Sequence, residues 1–246
     1  TDHCVLKSVF DSSLERVSEF SENFNCMPYT DLDEFLNSGL NAISICAPTS
    51  THFKIAKKAI SKGLHVLIEK PISETPEEAE ELIQLAIKHN VHIMVGHIER
   101  FNPAITQLKQ LIEEGKVGDV LSITTTRAGQ FPPQMKDANV VIDLAVHDID
   151  IICYLMNATP SEILGNAGKG LINFRSDHAE IFLKFPKNRS GIVKVNWITP
   201  RRIRTLTLTG SKGYCYLNFI DQTIQYQASV FERKNEGSLE EVCQFS

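Results

Sequence analysis

The chain has 246 residues, 42% hydrophobic and 22% charged, the balance of a globular protein rather than a disordered or fibrous one. Thirty acidic against 25 basic side chains give a net charge of −5, which argues against the basic surface that drives nucleic-acid binding. No apolar run approaches the ~20 residues of a membrane span, and TDHCVLKSVF at the start is not laid out like a signal peptide. Neither a nucleic-acid nor a membrane partner is expected. The six cysteines, at 4, 26, 46, 153, 215 and 243, include no C-x-x-C pair and lie mostly in apolar runs such as Ile45-Cys46-Ala47. They are expected to be reduced thiols, which favours a cytoplasmic location.

The first half alternates between two periods. VLKSVF (5–10) is a strand, and Asp11-Ser-Ser opens the helical stretch SSLERVSEF with serine as N-cap. TDLDEFLNSG (30–39) is a short capped helix ending at Gly39. NAISICAP (41–48) is a continuously apolar strand, expected to be covered on both faces. THFKIAKKAISKG (51–63) is an amphipathic helix, HVLIEKP (65–71) a strand, and TPEEAEELIQLAIKHN (75–90) a helix whose Thr-Pro-Glu-Glu start suits the positive end of the dipole. VHIMVGH (91–97) is a strand and NPAITQLKQLIEEGKVG (102–118) a helix. This alternation predicts a doubly wound parallel sheet. Right-handed crossovers bring every strand C-terminus to one edge, where such sheets bind ligands. That edge carries Asp11, Pro48-Thr49, Glu69-Lys70-Pro71 and His97.

The pattern changes after about residue 118. VLSITTTRAG (120–129) alternates like an antiparallel strand, and VIDLAVHDIDIICYLMN (141–157) forms a largely buried helix. HAEIFLKF (178–185), GIVKVNWIT (191–199), RIRTLTLTG (202–210), YCYLNFI (214–220) and QTIQYQ (222–227) are successive strands. The expectation is a second, α+β domain with a mostly antiparallel open sheet, giving domains 1–118 and 119–246. No GxGxxG loop occurs. Asp11 stands where the acid of a second strand holds a ribose, so the sequence is expected to lack the first ~25–35 residues of such a fold. GNAGKG (165–170) is rich in glycine but follows no clear strand and opens no helix, which makes it a poor phosphate loop.

Three constellations carry chemistry. Lys70 ends a buried strand, where a cation is costly unless used or paired; a strand-end salt bridge is the structural alternative. Asp143 and His147 are four apart and share a helix face, so the carboxylate can orient the imidazole as a proton acceptor; a satisfied polar pair is the alternative. Asp148 and Asp150 lie on other faces and are assigned structural roles. Arg100 and Asn102 lie between the last parallel strand and its helix, and face the crevice or merely start the helix. The histidines show no third ligand beside Asp143 and His147, so no metal is expected.

APTSTH (47–52), EKPIS (69–73), GHIERFNPA (96–104) and DLAVHDIDI (143–151), in this order and spacing, resemble the glucose–fructose oxidoreductase/inositol dehydrogenase (Gfo/Idh/MocA) family across essentially the whole chain. The resemblance implies a nicotinamide-dependent sugar dehydrogenase with a Rossmann domain and a C-terminal α+β domain that assembles dimers or tetramers. GHIERFNP, NVVIDLAVHDIDI and VNWITPRRIRTLTLTGSKG are most similar to its nucleotide-sugar branch, which oxidises the 3-hydroxyl of UDP-N-acetylglucosamine or its uronate. It further implies that Lys70 holds the reacting hydroxyl, His147 accepts its proton and Asp143 positions the sugar or the imidazole. Asp11, Pro48, Thr49, His52, Glu69 and Lys70 would contact the cofactor, NAD rather than NADP. Arg100, Asn102, Arg127 and Asn139 would contact sugar or diphosphate, and Arg201, Arg202 and Arg204 either a diphosphate or only solvent. A free sugar or inositol as substrate, and a non-catalytic cofactor-binding sensor or scaffold, are the alternatives.

Overall fold

The computed structural model describes residues 4–131, 138–172, 174–230 and 244–245. The chain forms two compact units, Thr1–Gly96 and His97–Ser246.

The first unit runs β1 (Ser8–Phe10), α1 (Leu14–Phe24), β2 (Met27–Tyr29), α2 (Leu32–Leu36), β3 (Ala42–Ile45), α3 (Thr49–Ser61), β4 (His65–Ile68), α4 (Pro76–His89) and β5 (Ile93–Val95). Local chemistry sets the helix ends. Ser13, Asp31 and Thr75 accept hydrogen bonds from the backbone N–H groups of Arg16, Glu34 and Glu78. Asn25 and Asn90 stop α1 and α4 in the left-handed conformation that asparagine tolerates. All strand pairs are parallel, in two sets, β1-β2 and β3-β4-β5. In the 3-2-1-4-5-6 order of a dinucleotide fold, the strand between two such sets leads into the glycine-rich loop that this sequence does not contain.

Ile43, Ile45, Val66 and Ile68 meet Ala56, Ala59 and Ile60 of α3 and Leu82 and Ala86 of α4 in one core. The opposite face of β3 is exposed at Ala42 and Ser44, so the expected burial of this strand on both faces is corrected: α3 and α4 cover only the side to which the isoleucines point.

The second unit begins with a 3-10 turn, Ile98–Phe101, and α5 (Pro103–Glu113), then β6 (Val120–Gln130), a π turn, Val141–Ala145, and α6 (Val146–Met156). β7 (Glu162–Gly168), β8 (His178–Phe185), β9 (Arg189–Asn196), β10 (Ile198–Gly210), β11 (Gly213–Asn218), β12 (Thr223–Val230) and β13 (Gln244–Phe245) follow. The sheet order is β13-β12-β11-β10-β6-β9-β8-β7, antiparallel throughout except for the parallel pair β6-β9. One face packs on α5 and α6 through Leu108, Ile123, Ile152, Leu155, Val193 and Leu206. A side chain at Gly191 of β9 would come within 2.8 Å of Ile152, so glycine lets α6 lie close on the strand.

Several sequence expectations shift. The division falls at Gly96/His97 rather than near 118, because Ala104, Ile105 and Leu108 of α5 join the second unit's core. Residues 198–210 form one strand, with a bulge between Ile198 and Ile203 where two separate strand ends were expected. Residues 165–168 of the glycine-rich run pair along β8 as part of β7.

Candidate active site

In the first unit, β3, β4 and β5 end side by side, and the segments that follow carry Pro48-Thr49, Glu69-Lys70-Pro71 and Gly96. Lys70 is half-buried and joined to Pro71 by a cis peptide bond. The Glu69 carboxylate accepts the Lys70 N–H at 3.3 Å and lies 3.3 Å from where a Cβ at Gly96 would stand. Thr49 begins α3, and Thr51 Oγ1 donates to the Pro48 carbonyl at 2.8 Å.

His52 is placed differently from its expected cofactor contact. It is 1% exposed, and both ring nitrogens face backbone carbonyls: Nε2 lies 2.7 Å from Ala47 O and Nδ1 2.9 Å from Pro71 O. Both nitrogens are thus spent on the protein, tying the loop after β3 to the loop after β4.

Asp11 follows β1, as the sequence predicts. Its carboxylate accepts the Ser13 N–H at 2.8 Å and is gripped by Arg16 through Nε at 3.1 Å and Nη2 at 2.8 Å. The Arg16 hydrogen bond first, then that of Ser13, holds the Asp11 carboxyl below its ordinary pKa. The only sequence signal for Arg16 is a cation five residues after the acid, in the first turn of α1.

In the second unit, Asp143 lies in the π turn and His147 in the first turn of α6, both half-buried. Asn139 Oδ1 accepts the N–H groups of Val141 and Ile142 at 3.0 Å each, and so starts this turn. Arg100 forms a two-pronged pair with Asp150, Nε–Oδ2 2.8 Å and Nη2–Oδ1 2.5 Å, and lies over the Tyr154 ring at 5.3 Å. Residues 143, 147, 150 and 154 follow helical spacing, so Arg100 is anchored on the face of α6 that bears His147. His97 Nδ1 lies 3.5 Å from Asp150 Oδ1 without a hydrogen bond, and burial draws the His97 pKa down.

Arg127 and Asn102 also do other work than sugar contact. Arg127 is 5% exposed; it bonds Asp148 through Nε and Nη2 (3.0–3.2 Å) and Glu99 through Nη1 (2.8 Å). Burial would favour its neutral form, but Asp148 and Glu99 outweigh that and raise its pKa. Asn102 caps α5 through the Ala104 N–H and donates to Phe219 O at 3.2 Å. Asp148, 1% exposed, and Asp150 each hold an arginine, Arg127 and Arg100 respectively, so both serve structurally.

Arg204 donates to Ala128 O and Ile203 O. Burial, reinforced by Arg127 and Arg202, lowers its pKa to about 10, against the opposing charges of Asp148 and Asp143. Arg204 lies within electrostatic reach of Asp143. Arg201 and Arg202 lie at the bulge before Ile203.

Asp177, fully buried, accepts from the N–H groups of Gly170 (2.8 Å), Leu171 (2.6 Å) and Ile172 (2.8 Å) and lies 2.8 Å from His178 Nδ1. The last glycine of the run and the two residues after it thus cradle an anion, one of the protein's own. At Gly168 a Cβ would come within 2.6 Å of the His178 ring, which accounts for that glycine. Among the described residues, no group of three or more His, Cys, Asp or Glu side chains is arranged to hold a metal.

A parallel βα unit with its polar residues at the strand C-termini, followed by an α+β unit, is the two-domain arrangement of a Rossmann-type oxidoreductase. Residues 1–97 match the oxidoreductase family, NAD-binding Rossmann fold (GFO_IDH_MocA), and residues 105–216 match the GFO/IDH/MocA C-terminal domain; the chain belongs to this family. It is 29% identical over 219 residues to the UDP-N-acetylglucosamine 3-dehydrogenase of Acidithiobacillus ferrooxidans, covering 89% of this chain and 68% of that protein. To the uncharacterized oxidoreductase YrbE of Bacillus subtilis it is 27% identical, over 70% of this chain and 52% of that protein. The chain therefore spans only about half the length of the second relative. The solved structure of the Acidithiobacillus enzyme, GnnA, superposes with a TM-score of 0.83 at 27% identity, covering 94% of this chain and 76% of that one. The WlbA dehydrogenase of Bordetella pertussis, solved with NADH and UDP-GlcNAcA, shares the fold with a TM-score of 0.81 at 19% identity, over 88% of this chain and 66% of that one.

Proposed function

We propose that this chain belongs to an NAD-dependent dehydrogenase that oxidises a secondary hydroxyl, the C3 hydroxyl, of a nucleotide sugar such as UDP-N-acetylglucosamine or its uronate. The observation that carries the reading is the placement of EKP at the C-terminal sheet edge of one unit and of the Asp143–His147 pair on one helix face of the other. The UDP-N-acetylglucosamine 3-dehydrogenase named among the relatives supports this substrate class.

The ribose and nicotinamide ends of a cofactor site fit this chain, with Asp11 after β1 and Glu69-Lys70 after β4. No residues of this sequence supply the glycine loop for the diphosphate, and no step is assigned to that region. Held by Asp11 and Glu69-Lys70, NAD would supply the hydride acceptor for the carbinol carbon. Lys70 holds the hydroxyl oxygen and, as a cation, favours its deprotonation. His147 Nε2 or Nδ1 accepts the proton, and Asp143, one turn earlier, orients the ring or the sugar. Arg100 is preset by Asp150 as a contact for the sugar or diphosphate, and Arg204 with Arg202 provides positive charge for the diphosphate. Arg127, Asn102 and Asn139 hold these groups in place from inside the unit.

The test is NADH formation by the full-length protein given NAD with UDP-N-acetylglucosamine, its uronate or inositol. Lys70→Ala and His147→Ala are each expected to lower turnover at least ~100-fold; near-normal turnover in both overturns the assignment. Turnover of inositol alone selects the free-sugar alternative, and cofactor binding without turnover of any sugar selects the sensor. Assembly into a dimer or tetramer is proposed through the sheet face that no helix among the described residues covers. There Tyr216, Thr207, Thr124, Ile192, Phe182 and Leu164 form one cross-strand row through six strands. No helix among the described residues is long and apolar enough to cross a membrane. Cys26, Cys46, Cys153 and Cys215 are in no disulfide, consistent with a cytoplasmic location, while Cys243 lies outside the described residues.

A further inference from the structure

We infer that Arg175 and Asp177 are positioning residues for Asp143: the chain that links β7 to β8 is anchored at Asp177 and acts as a strap holding the start of the π turn. The first N–H groups of a helical turn have no acceptor within it. At Val141–Ala145, Asn139 meets three of them. Its Oδ1 accepts from Val141 and Ile142 at 3.0 Å each, and its carbonyl accepts from Asp143 at 2.9 Å. The next one, on Val140, donates outside the turn to the Ser176 carbonyl at 3.1 Å. One residue before Ser176, Arg175 donates through Nη1 to the Ala138 carbonyl at 2.7 Å. Asn139 is thus bracketed: consecutive residues of the strap bond the carbonyl before it and the N–H after it.

The strap has its own anchor. The Asp177 backbone is bonded on both sides: its N–H donates to Gly168 O at 2.9 Å, and its carbonyl accepts the Trp197 N–H at 2.8 Å. These bonds fix it to the sheet. Its buried carboxylate gathers the N–H groups of Gly170, Leu171 and Ile172 at 2.6–2.8 Å. Arg175 and Ser176 directly precede Asp177, so their placement is inherited from it. At the other end Val140, 0% exposed, is packed in the core of the same unit. A π turn is a rare backbone form that persists where its surroundings hold it. Here the hold runs in one line from the sheet through Asp177, the strap and Asn139 to Asp143. Arg175 and Asp177 therefore act through Asn139 and the turn rather than on a substrate. That the turn is held is independent of the reaction proposed above; that holding it serves catalysis rests on that reading.

In the wild-type full-length protein, nuclear magnetic resonance is expected to show a through-hydrogen-bond coupling between the Val140 nitrogen and the Ser176 carbonyl carbon. Its absence overturns the strap, whether or not any variant folds. Arg175→Met removes the donor to Ala138 O, and Arg175→Lys keeps one. In R175M, amide exchange at Val140, Val141, Ile142 and Asp143 is expected to quicken at least ~10-fold while Ile151, Ile152 and Leu155 of α6 keep their protection. R175K is expected to bring those four amides back to within ~3-fold of wild type. Unchanged exchange at the four amides, no rescue by lysine, or an equal rise throughout α6, the mark of a general loss of stability, overturns the inference. Given turnover of a sugar by the wild type, R175M is expected to lower kcat at least ~10-fold with the KM for NAD unchanged, since a small misplacement of a catalytic group costs rate rather than cofactor binding. An unchanged kcat overturns the catalytic significance. Absence of turnover in the wild type refutes the dehydrogenase reading instead, and the exchange pattern still decides whether the strap holds Asp143.

Discussion

Replacing Asp177 with asparagine removes a buried charge that four donors serve. In the native protein the carboxylate takes the N–H groups of Gly170, Leu171 and Ile172 and the Nδ1 side of His178 at 2.6–2.8 Å. Asparagine keeps one carbonyl oxygen, able to accept about two of these, and turns an NH2 group toward the remainder. Hydrogen bonds to a charged group contribute about 1.5–3 kcal/mol each, so the loss of two gives roughly 3–6 kcal/mol. That is a large share of the roughly 5–15 kcal/mol that stabilises a typical domain. Trp197, the one tryptophan in the chain, is the reporter: it is 3% exposed and its backbone N–H donates to Asp177 O at 2.8 Å. Its fluorescence through a guanidinium titration gives the stability of the second unit. The pH dependence supplies a second check. Burial alone would raise the Asp177 pKa, but the N–H groups of Gly170, His178, Ile172 and Leu171 overcome it and hold the carboxyl far below the ordinary range. A depressed folded-state pKa means that the contribution is complete above the unfolded value near ~4 and is lost as pH falls below it, by about 1.4 kcal/mol per unit. The difference between wild type and D177N is therefore expected to be constant from pH 7 to 5 and to shrink below pH ~4. A cost under ~0.5 kcal/mol at pH 7, or a difference that holds constant down to pH ~2.5, refutes the reasoning.

Arg127→Met leaves Asp148 and Glu99 without their cation inside the second unit and is expected to cost about 3–5 kcal/mol in the same titration; a loss below ~1 kcal/mol would show that the pair is dispensable. Asp11→Ala frees Arg16, whose side chain is 68% exposed, to meet a 2′-phosphate. The ratio of NADP to NAD affinity, read by titration calorimetry, is expected to rise at least ~10-fold, and an unchanged ratio would remove Arg16 from the cofactor site. Thr124→Arg together with Ile192→Glu places charge in the middle of the uncovered sheet row and is expected to yield monomers in sedimentation velocity, with stability nearly unchanged. Asn157→Ala removes the left-handed stop of α6 and is expected to cost about 1 kcal/mol.

The parallel strands of the first unit were legible because helix caps, Pro-Glu-Glu starts and apolar runs all agree over residues 41–95. Less legible was the role of the polar residues at their ends. Asp11, Lys70, Asp143 and His147 are recognisable by residue type and spacing, but what a side chain touches is a tertiary fact. His52 follows Ala47-Pro48 closely enough to suggest a cofactor contact, yet its second partner, Pro71 O, lies 19 residues away. Arg127 looks like a free cation in an alternating strand until Asp148 and Glu99 converge on it from α6 and the 3-10 turn. The glycine-rich run reads as a poor phosphate loop, and the N–H groups at its end and just after it go to the Asp177 side chain; spacing alone does not distinguish a nest for a side chain from a nest for a ligand. The boundary at Gly96 was missed because α5 has the same amphipathic pattern whichever core receives it.

The buried pair of Arg127 and Asp148 explains why the second unit can present Asp143 and His147 steadily. Asp148 follows His147 directly, so fixing its carboxylate against β6 fixes the rotation of α6 about its axis. A helix residue lies about 100° around the axis from its neighbour. Once Asp148 points into the sheet, His147 lies about 100° and Asp150 about 160° around the axis from it on the same side, and Arg100 is anchored at Asp150. Glu99 joins the same network through Arg127 and ties the 3-10 turn that bears Arg100 to the strand. Two cations and three carboxylates therefore set one helix face. The cost of desolvating them inside the unit is offset by two-pronged geometry and by the absence of any unpaired partner among the five. By the same reasoning Arg127→Lys, which keeps the charge but loses the fork, should unsettle the orientation of His147 more than it lowers overall stability.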